Sequence, residues 1–260
     1  MMRFLKKGKP KRQTDEKNKP YAVSFGTVEP IAQYFQDITG ITFEQQTNIL
    51  KNKLTLFSKQ KNIYSFEELL QQVQGNTVLQ QELIDYLTTN ETYFYREFKQ
   101  IQKLVQLVKN TTSPVKILCA PCATGEEVYS IVIALLEADI ALTQFHVTGI
   151  DINAQVLEKA KTATYKAKNL RNLSSEVINK YFIFDGETYT LRATFTAATA
   201  FKLINIFDSD FHNLGKFDFV FSRNMLIYFD KATKSRARKI LEDMRKSTQY
   251  PVFFGHADLF

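Results

Sequence analysis

The second half of the chain alternates between short apolar runs and amphipathic segments. A short apolar run bounded by polar turns is typical of a strand buried in a sheet, and most of these runs lead into a helical pattern. Strands that alternate with helices need right-handed crossovers, so the pattern predicts an α/β fold built on a parallel sheet. The strand segments are "VKILCA", "FHVTGID", "FKLINI", "FDFVFS" and "PVFFGH", and the helical segments include "EEVYSIVIALLEA", "AQVLEKAK" and residues 232–246.

Two other regions depart from this alternation. Residues 21–89 show the apolar spacing of amphipathic helices, for example at Ile31, Phe35 and Ile38, and predict an all-α helical domain ahead of the α/β domain. The stretch "YFIFDGETYTLRATFT" alternates around a glycine turn, which predicts a small antiparallel β insertion at about residues 181–200.

The net charge of +7 raises the question of a nucleic-acid partner. Residues 1–20 carry eight Lys or Arg against Asp15 and Glu16, which leaves the other 240 residues close to +1. We therefore predict a disordered, solvated basic tail at residues 1–20, and the alternative is a tail with a partner of its own. No apolar run approaches the roughly 18 residues of a membrane-spanning helix, and the basic start lacks the apolar core of a secretory signal, so the sequence predicts a cytoplasmic protein.

The turn after the first strand, "CAPCATGEE", permits two interpretations. A redox dithiol needs its first sulfur at a helix N-terminus, where the helix dipole lowers the thiol pKa. Cys119 instead falls within the apolar strand, and three residues separate Cys122 from the first glutamate. We place the helix start at Thr124, which would form a Thr-x-x-Glu capping box with Glu127. This arrangement favours structural cysteines over a redox pair.

The alternative is a cofactor site at the carboxyl end of that strand, where open α/β sheets bind ligands. Asp151 ends the next strand, a position from which an acidic side chain typically meets ribose hydroxyls. A phosphate-binding loop would carry several glycines, whereas this turn has one glycine and the acidic pair Glu126 and Glu127. Acidic side chains favour a cationic ligand, and S-adenosylmethionine (SAM), with a sulfonium, an amino group and an unphosphorylated ribose, fits this demand.

Two further segments concentrate polar residues. "TTNETYFYRE", at residues 88–97, joins the two predicted domains, either as a packed linker or as a polar lid that presents Arg96 to an anion. "FSRNMLIYFD", at residues 221–230, is either a plain strand–turn–helix with Asp230 as the helix cap or a ligand site built on Ser222, Arg223 and Asn224.

In this order, the segments resemble those of the chemotaxis receptor glutamate methyltransferases, the CheR family. The resemblance runs from about Tyr34 to the end and depends on "TTNETYFYRE", "CATGEEVYS", "GIDINAQVLEKAK", "FDFVFSRNMLIYFD" and "FGHADLF". It implies a helical domain at residues 21–89, a linker at residues 90–98 and a class I, Rossmann-like SAM methyltransferase domain at residues 99–260. The activity so implied is transfer of a methyl group from SAM to glutamate side chains of receptors, with S-adenosylhomocysteine (SAH) as product.

The resemblance also assigns residues to roles. Arg96 and Tyr228 would lie beside the transferring methyl group as catalytic residues, and no metal site is expected. Of the two glutamates in the first turn, Glu127 is favoured over Glu126 for the methionine part. The implied cofactor contacts are Asn90, Thr92, Arg96, Glu126 or Glu127, Asp151 for the ribose, Asn205, Ile206, Ser222 and Arg223.

The implied partner is the acidic helical methylation region of a receptor's cytoplasmic domain. The segment "KNKLTLFSKQK" has four lysines and no acid, and either docks that region or is a solvated helix face. The β insertion would also touch the receptor, and the protein is expected to be a monomer that does not insert into membranes. The four lysines are Lys51, Lys53, Lys59 and Lys61.

Two alternative functions stay open at this point. One is a regulatory module that binds SAM without turnover, and the other is a nucleic-acid methyltransferase, which would need a basic groove with aromatic stacking. The chain also departs from the family pattern, with Val128 in place of a usual proline and Ser222 in place of a frequent cysteine. The family pattern continues past the position of Phe260 into a final antiparallel edge strand.

Overall fold

The computed structural model describes residues 25–259, and the basic tail predicted for residues 1–20 lies outside this range. Four helices open the described chain. Each buries one apolar stripe in a common core, as Ile31 and Phe35 do in the first helix and Leu50 and Leu54 in the second. They are α1 (Glu29–Thr39), α2 (Thr47–Gln60), α3 (Phe66–Gly75) and α4 (Thr77–Leu87).

Local sequence sets the ends of these helices. Helix α1 ends at Gly40, whose φ of 78° lies in the left-handed region, and the Gly40 N–H donates to the Gln36 carbonyl. Ser65 caps α3 by accepting from the Glu68 N–H at 3.0 Å, and Asn76 caps α4 in the same way. These bonds satisfy backbone groups that a helix end otherwise leaves without partners.

The rest of the described chain carries eight strands and six more helices. The strands are β1 (Val115–Cys119), β2 (Phe145–Asp151), β3 (Thr164–Tyr165), β4 (Phe182–Phe184), β5 (Tyr189–Leu191), β6 (Thr199–Leu203), β7 (Phe219–Ser222) and β8 (Phe253–Phe254). The helices are α5 (Phe98–Lys109), α6 (Glu126–Leu136), α7 (Ala154–Thr162), α8 (Ser175–Tyr181), α9 (Ser209–His212) and α10 (Lys231–Asp243).

Five strands form one sheet in the order β6-β2-β1-β7-β8. Every neighbouring pair is parallel, with Ile117 of β1 opposite both Val147 of β2 and Phe219 of β7. The predicted parallel α/β fold is therefore confirmed. Because the apolar runs face helices on both sides of the sheet, they are continuous rather than alternating.

Helix α6 is buried along almost its whole length. The predicted inward face, Val128 to Leu135 at helical spacing, packs on the sheet, whereas Tyr129 and Ile133 on the other face pack into a second apolar cluster. That cluster comes from the β insertion, so both faces of α6 are covered. Within residues 25–259, no helix is both long and apolar enough for a membrane crossing.

The insertion is a three-stranded antiparallel sheet in the order β3-β5-β4. This confirms the predicted antiparallel element, although its first strand, Thr164–Tyr165, precedes the predicted segment. Residue Thr199, which the prediction included, begins β6 and belongs to the main sheet. The hairpin between β4 and β5 turns at Gly186, whose φ is 104°.

The last helix starts where Asp230 was expected to cap it, because the Asp230 carboxylate accepts from the Thr233 N–H at 2.8 Å. It ends at Asp243, earlier than the predicted residue 246. The reason is a pairing with the chain just ahead of β7: the Phe217 N–H donates to the Met244 carbonyl at 2.8 Å, and the Lys246 N–H donates to the Phe217 carbonyl at 2.7 Å.

The helical region is joined to the sheet by a cap that crosses between them. Asp85 of α4 accepts from the Ala154 N–H at 2.8 Å, at the first residue of α7. Asn153 donates to the Asp85 carbonyl at 3.0 Å and to the Thr88 hydroxyl at 2.7 Å. A negative charge at a helix N-terminus is stabilising, so α4 holds the loop that follows β2.

We expect Asp85→Ala to lower the free energy of unfolding by about 1–2 kcal/mol, because it removes a side-chain cap of α7. Urea unfolding followed by circular dichroism measures this change. A matched control is Glu82→Ala on the same helix, which removes only the exposed ion pair with Lys61 and should cost no more than about 1 kcal/mol. Equal losses in the two variants would contradict the assigned cap.

Candidate active site

One cleft lies at the carboxyl ends of four strands of the main sheet. The chain runs from β1 outward through β2 to β6, then returns to β7 on the other side of β1, so the strand order reverses between β1 and β7. Ligands of open α/β sheets bind at such a point. The cavity measures about 600 Å³, within the usual range for a small-molecule site. Its opposite wall comes from the helical region, including Ile41, Thr42, Lys53 and Leu87.

The turn after β1 forms the floor of this cleft. Helix α6 starts at Glu126 with Gly125 as its N-cap residue, so the predicted capping box between Thr124 and Glu127 is wrong. Gly125 has a φ of 90°, and a Cβ there would lie 3.0 Å from the Cβ of Ala160, so the position requires glycine. The Thr124 hydroxyl instead donates to the Glu126 carboxylate at 2.6 Å.

Both cysteines of this turn are free and buried. Burial raises the pKa of the Cys119 thiol well above its ordinary value, and the nearby Glu127 carboxylate raises it further. Burial and the Asp151 carboxylate do the same to the pKa of Cys122. Cys122 packs over Gly149 of β2, and a Cβ added at Gly149 would lie 2.9 Å from the Cβ of Cys122. Reactive thiols have a lowered pKa and are accessible, so these two cysteines pack the core.

Asp151 lies at the end of β2 with a carboxylate that is 4% exposed and faces the cleft. One oxygen accepts from the Ala123 N–H and the other from the Asn153 N–H, each at 2.9 Å. Burial raises the pKa of the Asp151 carboxyl to about 6, although these backbone donors oppose the rise. Each oxygen keeps a further lone pair with which to accept from a ligand hydroxyl.

Glu127 and Arg223 form a buried ion pair across the cleft floor. The Arg223 Nε donates to Oε2 of Glu127, and the two side chains are only 4% and 8% exposed. The Glu127 Oε1 is buried without a hydrogen-bond partner among the described residues. A buried oxygen of this kind is costly unless a donor reaches it. Glu127 lines the cleft, so a cation or ammonium group bound there is a candidate partner for its carboxylate.

Arg96 and Tyr228 come from distant parts of the sequence and both line the cleft. Arg96 donates to the Glu91 carbonyl at 2.8 Å, and its own carbonyl accepts from Arg223. Burial raises the pKa of the half-buried Tyr228 hydroxyl, and the positive charge of Arg96 opposes this rise. The structure therefore brings the two predicted catalytic side chains to the same cleft, where the charge of Arg96 acts on the Tyr228 hydroxyl.

The cleft also contains four more of the predicted cofactor residues, Asn90, Thr92, Asn205 and Ile206. The Asn205 side chain donates to the Ile38 carbonyl at 2.8 Å and accepts from the Phe207 N–H at 3.0 Å. These two bonds fix the turn after β6 against the end of α1. Ile206 is buried in the apolar cluster beneath this wall.

Two predicted residues lie outside the cleft lining. The Glu126 carboxylate points toward the insertion, where Asn169 donates to it at 2.7 Å, so both of its oxygens already have partners. Burial raises its pKa, and the bonds from Thr124 and Asn169 oppose the rise. Ser222 is fully buried inside the sheet. Both belong to the walls that support the cleft.

Sequence reasoning missed the contribution of the helical region to the site. The Thr42 N–H donates to the Tyr228 carbonyl at 2.9 Å, and Ile41 forms an antiparallel bridge with Phe229. Lys53 lines the cleft and donates to the Leu87 carbonyl at 3.3 Å. The acid-free lysine segment drew attention to Lys53, but nothing in the spacing of Ile41 and Thr42 indicated a site.

Comparison with known proteins identifies the family. The family model described as "CheR methyltransferase, SAM binding domain" matches residues 90–260. The chain belongs to the CheR methyltransferase family. A chemotaxis protein methyltransferase of Campylobacter jejuni is 38% identical to this CheR-family chain over 228 residues, covering 86% of this chain and 84% of its own length. A second relative, chemotaxis protein methyltransferase 2 of Vibrio cholerae, is 33% identical over 240 residues, covering 86% and 82%.

Among solved structures, the CheR-family chain is similar to PKMT2 from Rickettsia typhi in complex with AdoHcy. The identity is 12%, the TM-score is 0.36, and the alignment covers 61% of this chain and 25% of that one. The fold assignment depends on the strand order and the family match. The family match makes SAM the ligand to test against the geometry. The carboxylates of Asp151 and Glu127, the unpartnered Glu127 oxygen and the single glycine of the turn after β1 fit a cationic ligand with a free ribose.

Proposed function

We propose that the protein is a protein-glutamate O-methyltransferase that modifies chemotaxis receptors with SAM as methyl donor. The observation that carries the proposal is the cleft itself: acidic groups line its floor, and Arg96 and Tyr228 lie together on its wall. A cationic donor fits the floor, and an anionic acceptor fits Arg96. The chemotaxis names of the Campylobacter jejuni and Vibrio cholerae relatives support the choice of receptor as substrate.

Each predicted residue takes a role from its chemistry. Asp151 accepts hydrogen bonds from the ribose hydroxyls, because its carboxylate faces the cleft between two backbone donors. Glu127 offers its unpartnered oxygen to the amino group of the methionine part of SAM. Arg223 and Arg96 are available to bind the carboxylate of that methionine part. Asn90 and Thr92 line the cleft from the linker side, and the turn at Asn205 and Ile206 lines it where the adenosine would pack.

When bound, SAM supplies an electrophilic methyl group on a sulfonium. The acceptor glutamate is already ionised at neutral pH, so the protein needs no general base. Arg96 orients the incoming carboxylate, and the Tyr228 hydroxyl donates a hydrogen bond to it. Closure of the cleft by the bound receptor would remove water from the carboxylate, and Arg96 and Tyr228 would hold it toward the methyl group.

The receptor would dock on the exposed face of α2, next to the cleft. The four lysines do not form one patch: Lys53 faces the cleft, and Lys61 pairs with Glu82 at 2.6 Å. Lys51 and Lys59 remain exposed on one side of the helix. The same helix exposes two apolar side chains, Ile49 at 52% and Leu56 at 55%. Exposed basic and apolar side chains on one helix fit an acidic amphipathic helix as partner, and the β insertion offers a second contact.

The ribose assignment predicts a pH dependence for the binding of SAH. The Asp151 pKa is raised to about 6, and the ionised form is the better acceptor, so affinity should be highest above about pH 6. As the pH falls through this value the carboxylate gains a proton, and Kd should rise by up to about tenfold per pH unit. Isothermal titration between pH 5 and pH 8 measures this.

The matched control is Asp151→Asn. It should bind SAH about 5- to 100-fold more weakly at pH 7.5, through loss of charge-assisted hydrogen bonds, and should show a flatter pH profile. An unchanged affinity and profile would place the ribose elsewhere.

The catalytic assignment predicts that Tyr228→Phe lowers the single-turnover rate by about tenfold to a hundredfold at saturating SAM, because one transition-state hydrogen bond is lost. Arg96→Ala should cost more and should also weaken SAH binding. Transfer of labelled methyl from SAM to receptor cytoplasmic fragments measures both.

Tyr250→Phe is the control, since this ring packs on Phe219 at the start of β7 and its hydroxyl should not matter. A Tyr228→Phe protein with the full rate would leave that hydroxyl without a catalytic role. A wild-type chain that binds SAM and transfers nothing would indicate a regulatory binding module.

The docking assignment predicts that Lys51→Glu with Lys59→Glu raises KM for the receptor by about tenfold or more at low salt, with a smaller effect at high salt, because electrostatic steering is screened. SAH affinity should not change. The control reverses two exposed lysines of α5, Lys103 and Lys109, which lie outside the cleft lining. If both double variants behaved alike, the α2 face would be a solvated surface, and a loss of RNA binding instead would favour a nucleic-acid substrate.

A further inference from the structure

Residues 254–259, the described part of the sequence motif "FGHADLF", lie next to the cleft but do not line it. Its backbone is held from two sides. The Gly255 N–H donates to the Ser222 carbonyl at 3.2 Å, and the His256 N–H donates to the Glu97 carboxylate at 3.2 Å. The motif therefore joins the end of β7 to the start of α5, and the proposed reaction gives it no role.

Asp258 is the central residue of this turn. It is fully buried, and no salt-bridge partner is found for it among the described residues. One carboxylate oxygen accepts from the Asn224 N–H at 2.5 Å and from the Gly255 N–H at 3.2 Å. Burial raises its pKa, and the backbone donors, first that of Asn224, oppose the rise. A buried carboxylate held by backbone N–H groups fixes the course of the chain that carries them.

The chain so fixed is the turn that leads to Tyr228. Asn224 has a φ of 59°, an uncommon conformation for a residue other than glycine. A Cβ at Gly255 would lie 2.7 Å from the Asn224 N, so the two turns are in close contact. From Asn224 the chain passes through a single turn of 3₁₀ helix, Leu226–Tyr228, to the catalytic hydroxyl.

Asp258 also acts on Tyr228 through its charge. The negative charges of Glu91 and Asp258 add to the effect of burial, which raises the Tyr228 pKa, and Arg96 opposes them. A tyrosine hydroxyl is protonated at neutral pH in any case and can donate a hydrogen bond to the acceptor carboxylate, so what Asp258 contributes is the place of that hydroxyl.

We propose that Asp258 is a positioning residue for methyl transfer: from beneath the cleft it holds the Asn224–Tyr228 turn and so sets the place of the Tyr228 hydroxyl. The inference rests on the proposed function. Asp258 touches neither substrate nor cofactor, and its effect on the rate passes through Tyr228.

The experiment combines Asp258→Asn with Tyr228→Phe. Asp258→Asn keeps the size of the side chain but removes the charge. We expect it to lower the single-turnover methyl-transfer rate by about tenfold, while the Kd for SAH changes by less than about threefold. Added to Tyr228→Phe, it should cost less than about twofold, because residues that act as a unit are not additive. Asp210→Asn, an exposed aspartate bonded only to Asn213 in the described structure, is the control and should leave the rate unchanged.

Additive losses in the double variant, a full rate in Asp258→Asn, or equal losses of rate and SAH affinity would overturn the proposal. Hydrogen exchange of the Asn224–Tyr228 amides gives a readout that needs no activity, and Asp258→Asn should speed it. If wild type transferred no methyl group, the proposed function would fail, and unchanged exchange in Asp258→Asn would by itself refute the positioning role.

Should Asp258→Asn not fold, Glu97→Ala releases the His256 N–H at the other end of the turn. It should lower the rate by a smaller factor, and an undiminished rate would count against the proposal.

Discussion

A buried ion pair between Glu127 and Arg223 connects the parts of the cleft. Glu127 lies in the first turn of α6, Arg223 follows β7, and Arg223 also donates to the carbonyl of Arg96 in the linker. Removing one member would leave a buried charge without a partner, which is strongly destabilising. The three segments therefore depend on one another for their positions. A buried pair is weak evidence for net stability, but this one ties α6, the turn after β7 and the linker together at the cleft floor.

The helical region completes the site. Thr42 bonds the Tyr228 carbonyl, Ile41 pairs with Phe229, and Gln36 donates to the Asp230 carboxylate at 2.7 Å. The turn after β7 thus lies between α1 on one side and the Gly255–Asp258 turn on the other. Since this turn carries Tyr228, its geometry depends on contacts with segments at both ends of the described chain. A sheet domain alone would leave one wall of the cleft open to water.

The sequence was informative where one local rule decides the outcome. Continuous apolar runs followed by helical patterns have few solutions other than a parallel sheet, and Asp151 could be found because a strand end is a fixed place in such a sheet. Local rules could not separate Glu126 from Glu127. The two are neighbours at the start of α6, yet one bonds Asn169 of the insertion and the other Arg223, and both partners are distant in sequence.

The failures have the same cause. The sequence predicts Thr124 as the N-cap residue of α6. In the structure Gly125 takes that position, because the turn passes within contact distance of Ala160 in α7. Ser222 ends a strand, as Asp151 does, but it is fully buried while Asp151 faces the cleft. The four lysines looked like one patch in the sequence, yet the folded helix separates Lys53 from Lys51 and Lys59. In each case a tertiary contact overrides the local pattern.

Under the proposed function, some charged groups of the cleft determine how tightly SAM binds, and others determine how fast the methyl group is transferred. The sulfonium loses its charge in the reaction, whereas the ribose and the amino group do not change. Asp151 and Glu127 would therefore bind substrate and product about equally, which gives affinity without acceleration. The groups that can distinguish the transition state are those next to the acceptor carboxylate, Arg96 and Tyr228. Because the acceptor carboxylate also loses its charge, a tight ion pair with Arg96 would stabilise the ground state more than the transition state and slow the reaction. Arg96, whose guanidinium also donates to the Glu91 carbonyl at 2.8 Å, and the neutral hydroxyl of Tyr228 suit an acceptor that must be oriented without being bound strongly as an ion.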